Sequence, residues 1–202
     1  MLSRYSKYAA LCLAVFFSGS AIAEGDSARG KILADTCEGC HAVPGYNNVY
    51  PTYHVPRIAG QSAEYLVSAL QLYRDGDREH PTMVAQAASM SDQDIDDIAA
   101  YIASVAEPVT GDEVSGVAPA KTSTCAACHG SAGRSALPTN PSLAGQHADY
   151  LRLALVQYQQ GVRKGPNAAV MQAQLLQVND ADLDEIAAFY ARQSGLVSLP
   201  KD

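Results

Sequence analysis

Two pentapeptides of one pattern constrain this chain more than any other feature of its sequence. They are Cys37-Glu38-Gly39-Cys40-His41 and Cys125-Ala126-Ala127-Cys128-His129. The C-x-x-C-H pattern is the attachment motif for a c-type haem, in which both thiols bond to the porphyrin and the adjacent histidine ligates the iron. Zinc sites, or two disulfides in an oxidising compartment, are the alternatives. Because haem attachment uses all four cysteines and both histidines, the sequence predicts two covalently bound haem c groups.

The start of the chain has the three parts of an export signal. Arg4 and Lys7 form a basic region, Ala9 to Phe17 form an apolar core of nine residues, and Ala21-Ile22-Ala23 is an A-x-A cleavage site. A membrane-spanning helix needs about 20 apolar residues, and neither this core nor any later stretch is that long. We therefore expect residues 1–23 to be removed and the mature protein to be soluble in the periplasm.

The mature part carries a strong negative charge. Two of the 14 basic residues leave with the signal while all 21 acidic residues remain, which gives a formal charge of −9. A surface of this charge disfavours nucleic acid and suits a basic patch on a protein partner, although acidity is also an ordinary aid to solubility.

Cys12 lies inside the apolar core of the signal and is expected to leave with it, without a lipid anchor.

The mature chain is an internal repeat of about 85 to 90 residues. A spacing of 88 relates His41 to His129, Met83 to Met171 and Ile98 to Ile186, and a spacing of 85 relates residues 58–66 to 143–151. Loop insertions that cancel explain the two spacings. We predict an N-terminal domain over residues 24–107, a linker over 108–118 that contains proline, glycine and acidic residues, and a C-terminal domain over 119–202.

Each copy has the pattern of an all-α domain, a few helices wrapped around a haem, without a convincing strand. Ser91 and Asn179 have the position of helix N-caps, each with an aspartate three residues later and an apolar face beyond it. Middle helices are predicted from Ser62 to Tyr73 and from His147 to Tyr158. A copy of this size is small for a core of its own, and a buried haem supplies the missing apolar mass.

The first helix differs between the two copies. In the first copy a short helix is predicted from Ser27 to Asp35. Its counterpart before Cys125 is weaker, because Gly116 and Pro119 interrupt the pattern.

The sixth iron ligand decides whether a haem protein carries electrons or turns over a substrate. Met171 is the only methionine of the second copy and is therefore its candidate. In the first copy, Met83 aligns with Met171, whereas Met90 aligns with Val178 and is better explained as core. Because a thioether is soft and favours ferrous iron, His/Met ligation at both irons predicts two saturated haems that pass electrons.

Three further histidines lie outside the two motifs. His54 lies in the long loop of the first copy, and His80 lies three residues before Met83. Neither has a counterpart in the second copy, so we interpret both as loop or surface residues. His147, at the start of a helix, is expected to be exposed.

The whole mature chain resembles the dihaem cytochromes c4, periplasmic proteins with two class I cytochrome c domains in tandem. The resemblance rests on the paired C-x-x-C-H motifs, on Met83 and Met171, on the two Ala-Gly-Gln-x-Ala-x-Tyr-Leu helix starts and on the closing Ile-Ala-Ala-Tyr/Phe helices. The sequence departs from many members where Ala42 follows the first motif in place of glycine, and in a longer, tyrosine-rich loop over residues 42–55.

The resemblance implies roles for residues outside the two motifs. Pro56 and Pro141, each in a Pro-x-Ile/Leu segment, would accept a hydrogen bond from the proximal histidine at the backbone carbonyl, which fixes the imidazole and tunes the iron. The first helix of each domain would cross the last, near Gly30 and Tyr101 in the first copy.

These features favour a soluble periplasmic electron carrier over an enzyme. Its partners would be redox proteins: a respiratory donor complex or a dehydrogenase, and a terminal oxidase. The first alternative is the dihaem subunit of a flavocytochrome-type dehydrogenase, although this chain has no flavin-binding glycine motif of its own. The second is a haem enzyme or sensor in which one iron lacks its methionine.

Tyr73 and Tyr158 occupy the same place in both copies. One hypothesis is that they hydrogen-bond across the domain interface and couple the haems. The alternative is that they are amphipathic core residues at the end of the middle helix.

Overall fold

The computed structural model describes residues 25–201, and over this range the chain forms nine α-helices and no named strand. The helices are α1 (Ser27–Leu33), α2 (Asp35–His41), α3 (Ala63–Arg74), α4 (Pro81–Ala87), α5 (Asp92–Ser104), α6 (Thr122–His129), α7 (Ala148–Gln159), α8 (Ala168–Leu175) and α9 (Asp180–Ala191). None of these helices is long and apolar enough to cross a membrane. The predicted export signal, including Cys12, lies outside the described residues.

In the first domain, α1 packs directly against α5, where a glycine allows close approach. A Cβ atom on Gly30 would lie 1.9 Å from the carbonyl oxygen of Asp97 and 3.0 Å from the Cβ of Tyr101. The buried Asp97 carboxylate accepts a hydrogen bond of 2.7 Å from the backbone N–H of Asp26 and pairs with Arg29. The implied crossing near Gly30 and Tyr101 is therefore confirmed.

Replacing Gly30 with alanine should destabilise the haem-loaded protein by about 3 kcal/mol, because the added methyl group forces α1 away from α5. Gly39→Ala is the matched control, since a Cβ there meets nothing within 4 Å and Ala127 occupies the corresponding position of the second motif. Alanine at this position should leave stability unchanged or raise it by up to about 1 kcal/mol. Denaturant unfolding followed by circular dichroism checks both, and equal effects would contradict the prediction.

The second domain has no counterpart of α1, because residues 105–121 form no helix. A segment without regular secondary structure lies there instead, and the backbone of Ser115 exchanges two hydrogen bonds with the side chain of Gln193, just beyond α9. Gly116 has a positive φ of 81°, and Pro119 lacks an N–H, so neither supports a helix. The expectation that the first helix crosses the last is therefore wrong for the second domain.

The middle and closing helices form where the sequence predicts them. Both α3 and α7 begin and end one residue later than predicted. Complete capping boxes start the closing helices, with Ser91 and Asp94 in α5 and with Asn179 and Asp182 in α9. The apolar faces that follow are buried and form the two cores.

Four short helices have no counterpart in the sequence prediction. The haem motifs themselves form the ends of α2 and α6, and the candidate methionines lie on α4 and α8. Each of these helices has only seven or eight residues, which is too few for an apolar period to be recognised. The first predicted helix ends early, at Leu33, because Ala34 separates α1 from α2.

The C-terminal tail returns to the first domain. Val197 and Ala59 exchange backbone hydrogen bonds of 3.1 and 3.2 Å, and the N–H of Leu199 donates to the carbonyl of His41 at 3.0 Å. The side chain of Leu199 is buried in the core of the first domain. The domain limits proposed from the sequence stay a prediction, but this tail belongs to the packing of both domains.

Candidate haem sites

Each haem motif forms a short helix that ends at its histidine. Within a motif the cysteines are three residues apart and the first cysteine and the histidine are four apart, so all three side chains lie on one helix face. The residues are Cys37, Cys40 and His41 in α2, and Cys125, Cys128 and His129 in α6. Among the described residues, none of these four cysteines forms a disulfide, and burial raises the pKa of the Cys37 and Cys125 thiols.

Both motif histidines are held by a backbone carbonyl across the site. The Nδ1 atom of His41 lies 2.8 Å from the carbonyl oxygen of Pro56, and that of His129 lies 2.9 Å from the carbonyl oxygen of Pro141. Because a carbonyl can only accept, Nδ1 carries the proton and Nε2 keeps its lone pair for a metal. Burial lowers the pKa of both histidines, which keeps the rings neutral.

One cavity of about 950 Å³ brings the predicted ligands of both domains together. Its lining includes all four motif cysteines, both motif histidines, Met83 and Met171. Met90 also lines the cavity and, like Met83, packs half-buried against the first core, so the choice between the two stays a prediction. The two candidate haem sites therefore open into one space at the domain interface.

The helix that carries Met83 is capped by a histidine. The Nδ1 atom of His80 accepts a hydrogen bond of 3.3 Å from the backbone N–H of Met83, and Pro81 occupies the first turn of α4. The His80 ring also meets the ring of Tyr53 edge to face, with centroids 6.2 Å apart. His80 is thus a half-buried helix cap, rather than the loop or surface residue that the sequence suggested.

Two buried arginines face the cavity from opposite domains. Arg78 and Arg163 are each 7% exposed, and both contact the hydroxyl group of Tyr150. Within residues 25–201 neither forms an ion pair with a carboxylate, and the Nε atom of Arg78 is buried without a hydrogen-bond partner. A buried cation needs a compensating anion, and the propionate groups of a haem supply one. The cavity therefore fits haem in charge as well as in its cysteine and histidine donors.

The tyrosine that crosses the interface is Tyr150. Burial alone would raise the pKa of its hydroxyl group, but Arg78 and Arg163 lower it to about 8. Its ring also lies 6.4 Å from that of Tyr53 in the first domain. Sequence reasoning missed this cluster, although Arg78 and Arg163 recur at the repeat spacing and two repeated charges beside aromatic residues were a usable signal.

Tyr73 and Tyr158 pack against arginine instead of bridging the domains. The guanidinium group of Arg78 lies 4.5 Å from the Tyr73 ring centroid, and that of Arg163 lies 5.4 Å from the Tyr158 centroid. Among the described residues, no hydrogen bond of either hydroxyl group crosses the interface. Cation–π packing beside the core therefore accounts for these two rings, and the hypothesis of a direct bridge finds no support.

Two further histidines meet between the domains. The backbone N–H and Nδ1 of His54 lie 2.9 and 2.7 Å from the Asp149 carboxylate, and the His54 ring stacks on His147 with centroids 4.6 Å apart. Partial burial acts to raise the pKa of Asp149, but the hydrogen bonds from His54 lower it overall. The expectation of an exposed His147 is wrong, because His54 from the other domain covers it.

Comparison with known proteins matches both halves of the chain to one family. The family profile described as Cytochrome c matches residues 27–106 and again residues 115–192. A cytochrome c domain carries covalent haem, so two matched domains imply two haem c groups. This excludes a zinc site and two disulfides as explanations of the four motif cysteines.

Three relatives are similar over most of their length. Cytochrome c4 of Pseudomonas aeruginosa is 30% identical over 89% of this chain and 94% of its own. A protein of Stutzerimonas stutzeri described as a thiosulfate dehydrogenase electron acceptor is 29% identical over 78% of this chain and 79% of its own. The crystal structure of reduced cytochrome c4 from Pseudomonas stutzeri superposes with a TM-score of 0.66 at 26% identity, over 84% of this chain and 99% of that one.

Proposed function

We propose that this chain, which belongs to the cytochrome c family and within it to the cytochrome c4 proteins, carries electrons in the periplasm between a respiratory donor complex or dehydrogenase and a terminal oxidase. The observation that carries the proposal is the shared cavity, lined by two sets of cysteine, histidine and methionine side chains. Two such sites at one interface suit electron transfer from one iron to the other, and their ligands leave no coordination position for a substrate.

The proposed roles follow the repeat. Cys37 and Cys40 would hold the first haem and Cys125 and Cys128 the second. His41 and Met83 would ligate the first iron, and His129 and Met171 the second. When bound, the haem iron supplies reversible one-electron exchange. A methionine thioether among the ligands would favour the ferrous state and raise the potential.

The residues around the ligands set orientation and charge. The carbonyl groups of Pro56 and Pro141 fix the imidazole rings through their Nδ1 protons and make them better donors. Arg78 and Arg163 are placed to pair with haem carboxylates inside the interface, where charge-assisted hydrogen bonds are strong. Both effects would change the relative stability of ferric and ferrous iron. Neither gives a side chain a role in transforming a substrate.

A carbon monoxide difference spectrum of the dithionite-reduced, haem-loaded protein tests the carrier role. Carbon monoxide needs an open position on ferrous iron, so two His/Met haems should give no spectral change. A change at one haem would contradict the proposal and favour an enzyme or a sensor, with that methionine misassigned.

The relative described as a thiosulfate dehydrogenase electron acceptor supports a second candidate, in which the donor is a thiosulfate-oxidising enzyme. Both candidates are carriers, and this one narrows the first, which allows any respiratory complex or dehydrogenase as the donor. Mixed with thiosulfate dehydrogenase and thiosulfate, the ferric protein should then become reduced, and more slowly at high salt because its acidic surface steers docking. A rate no higher than with thiosulfate alone would exclude this donor and leave a respiratory complex or another dehydrogenase.

A further inference from the structure

Two buried glutamines join the domains through matching hydrogen bonds. The side chain of Gln61 in the first domain accepts from the N–H of Ser142 at 2.9 Å and donates to its carbonyl at 3.1 Å. The side chain of Gln146 in the second domain accepts from the N–H of Arg57 at 2.9 Å and donates to its carbonyl at 2.8 Å. Gln61 and Gln146 are equivalent in the repeat, as are Arg57 and Ser142. The two pairs of hydrogen bonds are therefore related by pseudo-twofold symmetry.

The side chain of each glutamine hydrogen-bonds to a peptide group of the other domain, and the carbonyl of that peptide group accepts a hydrogen bond from the motif histidine of that domain. The N–H of Arg57 and the carbonyl of Pro56 belong to one peptide unit, and that carbonyl accepts from Nδ1 of His41 at 2.8 Å. A continuous chain therefore runs from the Gln146 amide oxygen through this peptide to His41. The equivalent chain runs from Gln61 through the peptide between Pro141 and Ser142 to His129.

We propose that Gln61 is a positioning residue for the second haem site and Gln146 for the first, so that each domain tunes the iron of the other. The inference rests on the proposed function, which makes His41 and His129 the iron ligands. An N–H that donates polarises its own peptide unit, and the carbonyl at the other side becomes a better acceptor. A stronger bond at Nδ1 makes the imidazole more basic and stabilises ferric iron.

The burial of these side chains gives the effect its strength. Gln61 and Gln146 are 6% and 5% exposed, and Ser142 is 8% exposed, so water does not replace the amide when it is removed. The Arg57 guanidinium group adds a contact to the carbonyl of Gly145, which ties the same peptide segment to the second domain. The position of one domain therefore affects the peptide group that hydrogen-bonds to the motif histidine of the other.

Substitution of the two glutamines in the haem-loaded protein tests the proposal. Gln61→Leu should raise the midpoint potential of the second haem by a threefold shift in its ferric–ferrous equilibrium, or about 30 mV at 59 mV per tenfold change. The first haem should not shift. Gln146→Leu should raise the midpoint potential of the first haem by a similar amount and leave that of the second haem unchanged. The readout is a redox titration followed by proton NMR, with haem methyl resonances assigned from nuclear Overhauser contacts to residues of the same domain.

Gln193→Leu is the matched control. Gln193 is 3% exposed and makes the same two-bond contact with the backbone of Ser115, but that peptide does not hold a motif histidine. Its loss should lower stability and shift neither potential. Gln61→Glu is the second variant, because its carboxyl oxygen still accepts from Ser142, and it should not raise the second potential.

Four results would overturn the proposal: no shift at the haem of the other domain, a shift only at the haem of the mutated domain, equal shifts at both haems, or the same shifts in Gln193→Leu. Failure of the proposed function looks different. In that case the unsubstituted protein itself would lack two haems with histidine and methionine ligands, as seen in its haem content and in the charge-transfer band of methionine-ligated ferric haem.

Discussion

Replacing Cys125 and Cys128 with alanine should halve the haem content of the protein, from two haem groups per chain to one. The remaining thiols of the first motif attach their haem independently, because Cys37 and Cys40 lie on a separate helix in the other domain. Intact mass of the purified chain and haem absorbance per chain measure the change. Cys12→Ala is the matched control: it is predicted to leave with the export signal, so the mature mass should equal that of the unsubstituted protein.

The same substitution should unfold much of the second domain. Cys125 packs against the second core, whose buried residues include Phe189 and Tyr190, and that core borders the cavity at Ile186 and Tyr190. Without haem this side of the core is solvated, and a domain of this size has little apolar area in reserve. Helical circular dichroism should fall by roughly the share of α6 to α9, while a fold that stays intact with one haem would contradict the argument.

Local patterns predicted the parts of the site that lie close together in sequence. The C-x-x-C-H motifs identified the cysteines and histidines of both sites, although not the helices α2 and α6 that carry them. The resemblance placed Pro56 and Pro141 opposite the two histidines, where the structure has them. The caps at Ser91 and Asn179 were predictable because a capping box spans only four residues.

Contacts between the domains could not be predicted in the same way. Whether Gln61 reaches Ser142 depends on how the two copies pack, and a repeat that is evident in sequence does not encode that packing. The prediction that His147 is exposed failed for the same reason. His54, which stacks on its ring, belongs to the other domain. The repeated glutamine was visible in both helix starts, but its partner peptide was not.

Replacing Met171 with leucine should open the sixth position of the second iron. Leucine keeps the apolar volume of methionine but has no sulfur to donate, so the ferrous haem should bind carbon monoxide and the charge-transfer band of methionine-ligated ferric haem should halve. The midpoint potential of that haem should fall by on the order of 100 mV, since axial ligands set haem potentials over a range of about 0.8 V. Met83→Leu should do the same at the first haem.

Met90→Leu is the control that separates the two methionines of the first domain. Both line the cavity and both pack against the first core, but only Met83 matches Met171 in the repeat. A volume-conserving change at a core position should cost less than about 1.5 kcal/mol and leave carbon monoxide unbound. Carbon monoxide binding in Met90→Leu with none in Met83→Leu would reverse the assignment, and the ligand of the first iron would then be a methionine whose equivalent in the second copy is Val178.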